Sequence, residues 1–195
     1  HIYAAMIANG NQLNLERMPV GGFVKTYSAN NYTTDSGAGG TALACGIKTN
    51  NYMIGLKPDS TIAESILKVA ERNGFTTGIV AACNLTHATP ASYIANQPNR
   101  NMYEEIAADY LKTDVDVIIG GGRKNFAERA DGRNLLNEFE AKNYQVITNL
   151  DNLKNITSGK LAALVYEEHN PPMPERGNML PEATSTAINI LKNNK

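Results

Sequence analysis

Ser36 lies in the stretch Thr33-Thr34-Asp35-Ser36-Gly37-Ala38-Gly39-Gly40-Thr41-Ala42-Leu43-Ala44-Cys45-Gly46, where a polar turn of small residues runs into a helix-compatible segment. Backbone N–H groups at a helix start are unpaired and the macrodipole is positive there. A serine oxygen at that point sits where an anionic phosphoryl group is stabilised. The small residues after it let a substrate come close to the backbone. On these residues alone capping is the better account of the stretch, because Asp35 and Ser36 are both good N-cap residues and glycine-rich helix starts are common.

A second group is Thr86-His87-Ala88-Thr89-Pro90, just after an apolar run ending at Cys83. That position is the carboxyl end of a strand, where α/β folds place ligands. His87 offers an imidazole nitrogen and Thr89 a hydroxyl to a metal, although Thr89 before Pro90 also reads as an ordinary helix entry. Arg100, in Asn99-Arg100-Asn101, carries a guanidinium fork suited to two phosphate oxygens, but a lone arginine is usually a solvated surface group. Gly120-Gly121-Gly122-Arg123-Lys124 lacks both the Walker ending and the dinucleotide spacing, so it reads as a tight strand exit. His1 and His169 read as surface residues.

The elements that must position these groups follow from apolar periodicity. Between Thr61 and Lys160, short apolar runs alternate with amphipathic stretches, the pattern of an α/β fold with a mostly parallel sheet and helices on both faces. A helix is predicted over 61–73, with Thr61 and Glu64 as a capping box, Ile62, Ile66, Val69 and Ala70 on one face, and Gly74 as the stop. Strands are predicted at 77–83, 115–119, 144–147 and 161–165, with a helix around Leu135, Leu136 and Phe139 between the second and third. A proline-bearing surface loop, 167–180, leads to a last helix at 181–192.

At 195 residues the chain suits a single domain, 1–195. Its 18 Lys plus Arg against 19 Asp plus Glu give a net charge of -1, scattered along the chain, which argues against nucleic-acid and anionic-membrane partners. No apolar run approaches the ~18 residues of a membrane span. Cys45 and Cys83 can pair in an oxidising compartment but more often such residues are buried small hydrophobes. The chain opens at His1 without a basic segment and apolar run, so its N-terminus reads as processed or cut.

Taken in order, Asp35-Ser36 with its Gly and Ala followers, Thr86 to Pro90, Asn99-Arg100-Asn101 with Tyr103, and Val117 to Arg123 resemble successive segments of the alkaline phosphatase family. The resemblance implies hydrolysis of small phosphate monoesters, with Ser36 as a nucleophile that is transiently phosphorylated. It implies that Asp35 orients Arg100, which grips the phosphoryl oxygens, and that His87 and Thr89 fall in a third, usually magnesium, site, with Ser36 itself a zinc ligand. Family members carry a carboxylate or a histidine at the position of His87, and histidine binds magnesium less readily.

The family also implies a homodimer and a periplasmic or secreted location. It places an aspartate-bearing first strand before the equivalent of Ile2 and further Asp, Glu and His ligands after the equivalent of Lys195. Two zinc ions then activate the serine, a weak nucleophile by itself. On this reading the chain is a truncated member, inactive or nearly so, whose sheet has an unpaired apolar edge that favours dimerisation, strand exchange or marginal stability. Rival readings are a phosphodiesterase or sulfatase of the same superfamily, and a non-catalytic phosphate-binding module using only the Ser36 helix start and Arg100.

Overall fold

A computed structural model describes residues 1–192. Its centre is a parallel sheet of strands β1 (Gly78–Asn84), β2 (Val117–Gly121), β3 (Tyr144–Ile147) and β4 (Lys160–Tyr166), ordered β1-β2-β4-β3. The helices are α1 (Ile2–Ala8), α2 (Ser36–Cys45), α3 (Ile66–Arg72), α4 (Ala88–Ala91), α5 (Tyr103–Tyr110), α6 (Lys124–Ala127), α7 (Leu135–Ala141) and α8 (Met179–Leu191). The α/β class expected from the alternation of patterns is the one observed.

Side chains alternate across a strand, and the two central strands sort their residues accordingly. Ile118, Ala162 and Leu164 face a cluster containing Ile106, Tyr110, Phe126 and Phe139, while Val117, Ile119, Leu161 and Ala163 face Met179, Ala183, Ala187 and Ile190. Both faces are therefore covered, which is why β2 and β4 read as unbroken apolar runs. On the first face the rings of Tyr110, Phe126, Phe139 and Tyr144 follow one another at centroid distances of 5.7, 6.2 and 5.0 Å. The Tyr110 hydroxyl, fully buried, donates to the Leu85 carbonyl at 2.8 Å and so ties this cluster to the exit of β1.

The strand predicted at 115–119 is displaced two residues, to 117–121, and just ahead of it the Asp116 carboxylate accepts the Thr77 N–H. The larger correction concerns the helix predicted from Thr61. Thr61 instead donates through both its N–H and its hydroxyl to Asp59, closing a turn in which Leu56 bridges Ile62. Ser65 caps α3, accepting from the Lys68 N–H, so the helix begins at Ile66. Of the proposed apolar face, Ile62 and Ile66 are exposed, and the buried residue of α3 is Leu67. Cys45 and Cys83 are free, half-buried thiols, and burial pushes both above the ordinary thiol range.

β1 pairs only with β2 among the described residues. Its other edge opens on an apolar groove of ≈ 630 Å³ walled by Ile66, Leu67, Ala70, Thr89, Pro90 and Tyr93. This is the unpaired apolar edge anticipated above, and no charged or proline residue blunts it.

Phe126 sits at the middle of the aromatic row and is fully buried. Replacing it with Ala should destabilise the fold by about 3–5 kcal/mol, read by chemical denaturation. A loss of less than about 1 kcal/mol would mean that the row does not organise this face of the core.

Candidate active site

α2 starts at Ser36, and Asp35 is its N-cap: Oδ1 accepts the Ala38 N–H at 2.9 Å from an extended backbone. The choice left open by the sequence is settled in favour of Asp35 as the cap, with Ser36 the first helical residue and exposed. The turn before it is pinned by Asn51, whose Oδ1 accepts the Asp35 N–H at 3.1 Å and whose amide donates to the Thr33 carbonyl at 2.9 Å. On its other side α2 packs on α4 through small residues. A Cβ at Gly40 would lie 2.7 Å from the Ser92 hydroxyl, so glycine permits that approach.

Arg100 arrives from the loop before α5, fixed by its N–H donating to the Tyr52 carbonyl at 2.7 Å. Its guanidinium donates to Ser36 Oγ at 2.6 Å and to Asp35 Oδ2 at 3.1 Å, and it makes a longer 3.5 Å contact with His87 Nε2. The Arg100 and Asp35 side chains are only 17% and 18% exposed, which strengthens their attraction relative to a surface pair. Burial acts to raise the Asp35 carboxyl, but hydrogen bonds from the Ala38 N–H and from Arg100 outweigh it and hold the group below its ordinary range. Arginine has only donors, so Ser36 Oγ accepts this bond and keeps its own proton for another partner.

His87 is the first residue beyond the β1 exit turn, its N–H donating to the Asn84 carbonyl at 2.9 Å. Burial, then Arg100, then His169 push its imidazole below the ordinary histidine range, which favours the neutral ring. Thr89 is exposed on α4 and lines the groove beside β1, and none of the described hydrogen bonds joins it to the other four. The structure thus gathers Asp35, Ser36, Arg100 and His87 around one guanidinium and leaves Thr89 at the margin.

His169 falls beside this group, its ring edge-on to His87 at 5.4 Å between centroids. It is exposed, as expected, but it is not remote from the site. Asn51, Tyr52 and His169 are what sequence reasoning missed. Asn50-Asn51 was a visible turn signal, whereas nothing local to His169 announces its neighbour.

One imidazole, one carboxylate and two hydroxyls do not close a metal site, and among the described residues no group of three or more His, Cys, Asp or Glu is placed to hold an ion. What the arrangement can do is offer a helix start and a guanidinium to a tetrahedral anion next to a serine oxygen.

The alkaline phosphatase family model matches residues 4–195. Alkaline phosphatase 4 of Bacillus subtilis is 36% identical over 171 residues, covering 83% of this chain and 37% of the relative. The alkaline phosphatase of the Antarctic bacterium TAB5 superposes with a TM-score of 0.84 at 41% identity, over 88% of this chain and 51% of that one. A histidine-substituted variant of that enzyme, with Mg bound in its M3 site, gives a TM-score of 0.91 at 36% identity, over 97% and 56% of the two chains. The chain therefore spans from about a third to about half the length of the proteins that it matches. No helix among the described residues is long and apolar enough to cross a membrane. By the family match and these relatives together, the chain belongs to the alkaline phosphatase family.

Proposed function

We propose that the chain carries the nucleophile and phosphate-gripping half of a phosphate monoester hydrolase. The observation that carries this reading is the contact of Arg100 with both Ser36 Oγ and Asp35 at the start of α2. A phosphate monoester seated there would exchange the Arg100–Ser36 bond for bonds from the guanidinium fork to two phosphoryl oxygens, while Asp35 keeps the guanidinium in place. Ser36 Oγ would then face the phosphorus atom and bond to it as the ester P–O bond breaks, the alcohol leaving with the serine's proton; water would then attack the phosphoserine, releasing inorganic phosphate and returning a proton to Ser36 Oγ. The matched relatives bear the name alkaline phosphatase, which favours a monoesterase over a phosphodiesterase or sulfatase.

Serine at neutral pH needs activation, and among the described hydrogen bonds Ser36 Oγ meets Arg100, which is a donor and not a base. The family's answer is zinc with magnesium at a third position. Of the residues proposed for metals, Ser36, His87 and Thr89 make only fragments of such sites, so no step is assigned to a metal here. The isolated chain should accordingly bind phosphate without turning over substrate. A homodimer is proposed on the strength of the bare apolar edge of β1, and export of the parent protein on the family resemblance.

Inorganic phosphate titrated into the chain should perturb the amides of Ser36 and Gly37, and Arg100→Ala should weaken that binding by about tenfold or more. Unchanged binding would remove Arg100 from the site. Hydrolysis of an aryl phosphate with added zinc and magnesium should be no faster for the chain than for Ser36→Ala. Turnover that depends on Ser36 would show that the ligands present suffice. Light scattering should report a dimer or larger species, and a stable monomer would count against pairing through β1.

The lowered Asp35 carboxyl also predicts a pH effect. Its stabilising contribution is present above the unfolded carboxylate value and is lost as pH falls through the lower folded value. Asp35→Asn should therefore melt below the parent chain at neutral pH, with the gap closing on acidification. A gap independent of pH would mean that the charge on Asp35 does no structural work.

A further inference from the structure

Tyr52 holds its backbone in the left-handed region, at a φ of 72°. A Cβ crowds the main chain there, so a bulky residue adopts that conformation only where its surroundings enforce it, and such positions gather at functional sites. The side chain gives no reason for it. The ring is 57% exposed, and none of the described hydrogen bonds or ring contacts uses it.

The reason lies in the main-chain groups of the residue. The Tyr52 carbonyl accepts the Arg100 N–H at 2.7 Å. Burial acts to raise the Asp35 carboxyl, and after the Ala38 N–H and the Arg100 side chain the Tyr52 N–H is the next group that holds it low. One residue thus faces both partners of the ion pair, the carboxylate with its N–H and the loop of the arginine with its carbonyl. The angle between those two groups is set by φ and ψ, so another conformation would serve one partner at the expense of the other.

Neighbours on both sides keep the strained residue in place. Asn51 before it is bonded to the Asp35 N–H and the Thr33 carbonyl. After it, Ile54 and Gln97 exchange N–H···O bonds in both directions, each at 2.9 Å. The Gly55 N–H then donates to the buried Thr41 hydroxyl of α2 at 3.0 Å, and a Cβ at Gly55 would lie 2.1 Å from the Ala95 carbonyl oxygen. Residues 51–55 are therefore stitched to the turn before Ser36, to α2 and to the loop that carries Arg100.

We propose that Tyr52 is a positioning residue that acts through its backbone: its left-handed conformation sets the Arg100 loop against the start of α2, so that the guanidinium reaches Ser36 Oγ and Asp35. Its effect on phosphate rests on the phosphatase reading, whereas its effect on the Arg100 loop does not.

Hydrogen exchange at the Arg100 amide reads the bond to Tyr52 directly. Tyr52→Val places a β-branched residue where the left-handed region is least accessible. It should speed exchange at Arg100 about tenfold and weaken binding of inorganic phosphate about three- to tenfold. Tyr52→Gly, which keeps the conformation without a Cβ, should recover both to within about twofold of the parent chain. Ser60 is also left-handed, at a φ of 67°, in the turn closed by Asp59. Ser60→Val should lower stability to denaturant yet leave Arg100 exchange and phosphate affinity unmoved, which separates positioning from general destabilisation. Should Tyr52→Val not fold, Tyr52→Thr, smaller and also β-branched, takes its place. Arg100 protection that survives these β-branched variants overturns the proposal. So does a Tyr52→Gly chain that loses as much as Tyr52→Val, because the role would then belong to the ring. If the parent chain binds no phosphate while exchange at Arg100 follows the expected pattern, the phosphatase reading falls and the positioning role of Tyr52 stands.

Discussion

The arrangement depends on the two oxygens of the Asp35 carboxylate. One satisfies an orphan N–H in the first turn of α2 and the other holds the Arg100 guanidinium, so a single side chain joins a helix start to a loop 65 positions away. Because the carboxylate is shared, the serine that follows it cannot drift from the cation. A monopole alone would leave Arg100 free to swing, and a cap alone would leave the helix start without its cation.

That coupling needs a rigid base. The parallel sheet supplies it by ending β1, β2 and β4 at the same side, so that the loops after them meet. The loop after β1 brings His87, the glycines after β2 leave room, and the loop after β4 brings His169. Each contribution is modest, and it is the absence of side chains at Gly121 and Gly122 that lets them occupy the same small volume.

Much of this was legible in the sequence for a physical reason: Asp35-Ser36 and Thr86 to Pro90 are local signals, a helix start and a strand exit, whose meaning depends on a few neighbours. The four strands were legible because buried parallel strands are apolar throughout. The start of α3 was misread because two caps, Thr61 and Ser65, stood four residues apart, and the turn closed by Asp59 claimed the first. His169 was beyond reach because its partner belongs to another strand exit, and no periodicity links residues joined only by tertiary contact. Membership of the alkaline phosphatase family, by contrast, was carried by the order of the segments rather than by any one of them.

The pairing of strands has a kinetic side. Every rung joins distant positions, Gly78 with Val117 and Val117 with Leu161, so the chain must close long loops before its ladder returns any hydrogen bonds. Arg100 and Ser36 are themselves 64 residues apart. A chain emerging from synthesis therefore displays its serine well before the guanidinium can reach it. On the proposed reading, anion binding at Ser36 has to wait until the Arg100 loop has closed on the start of α2.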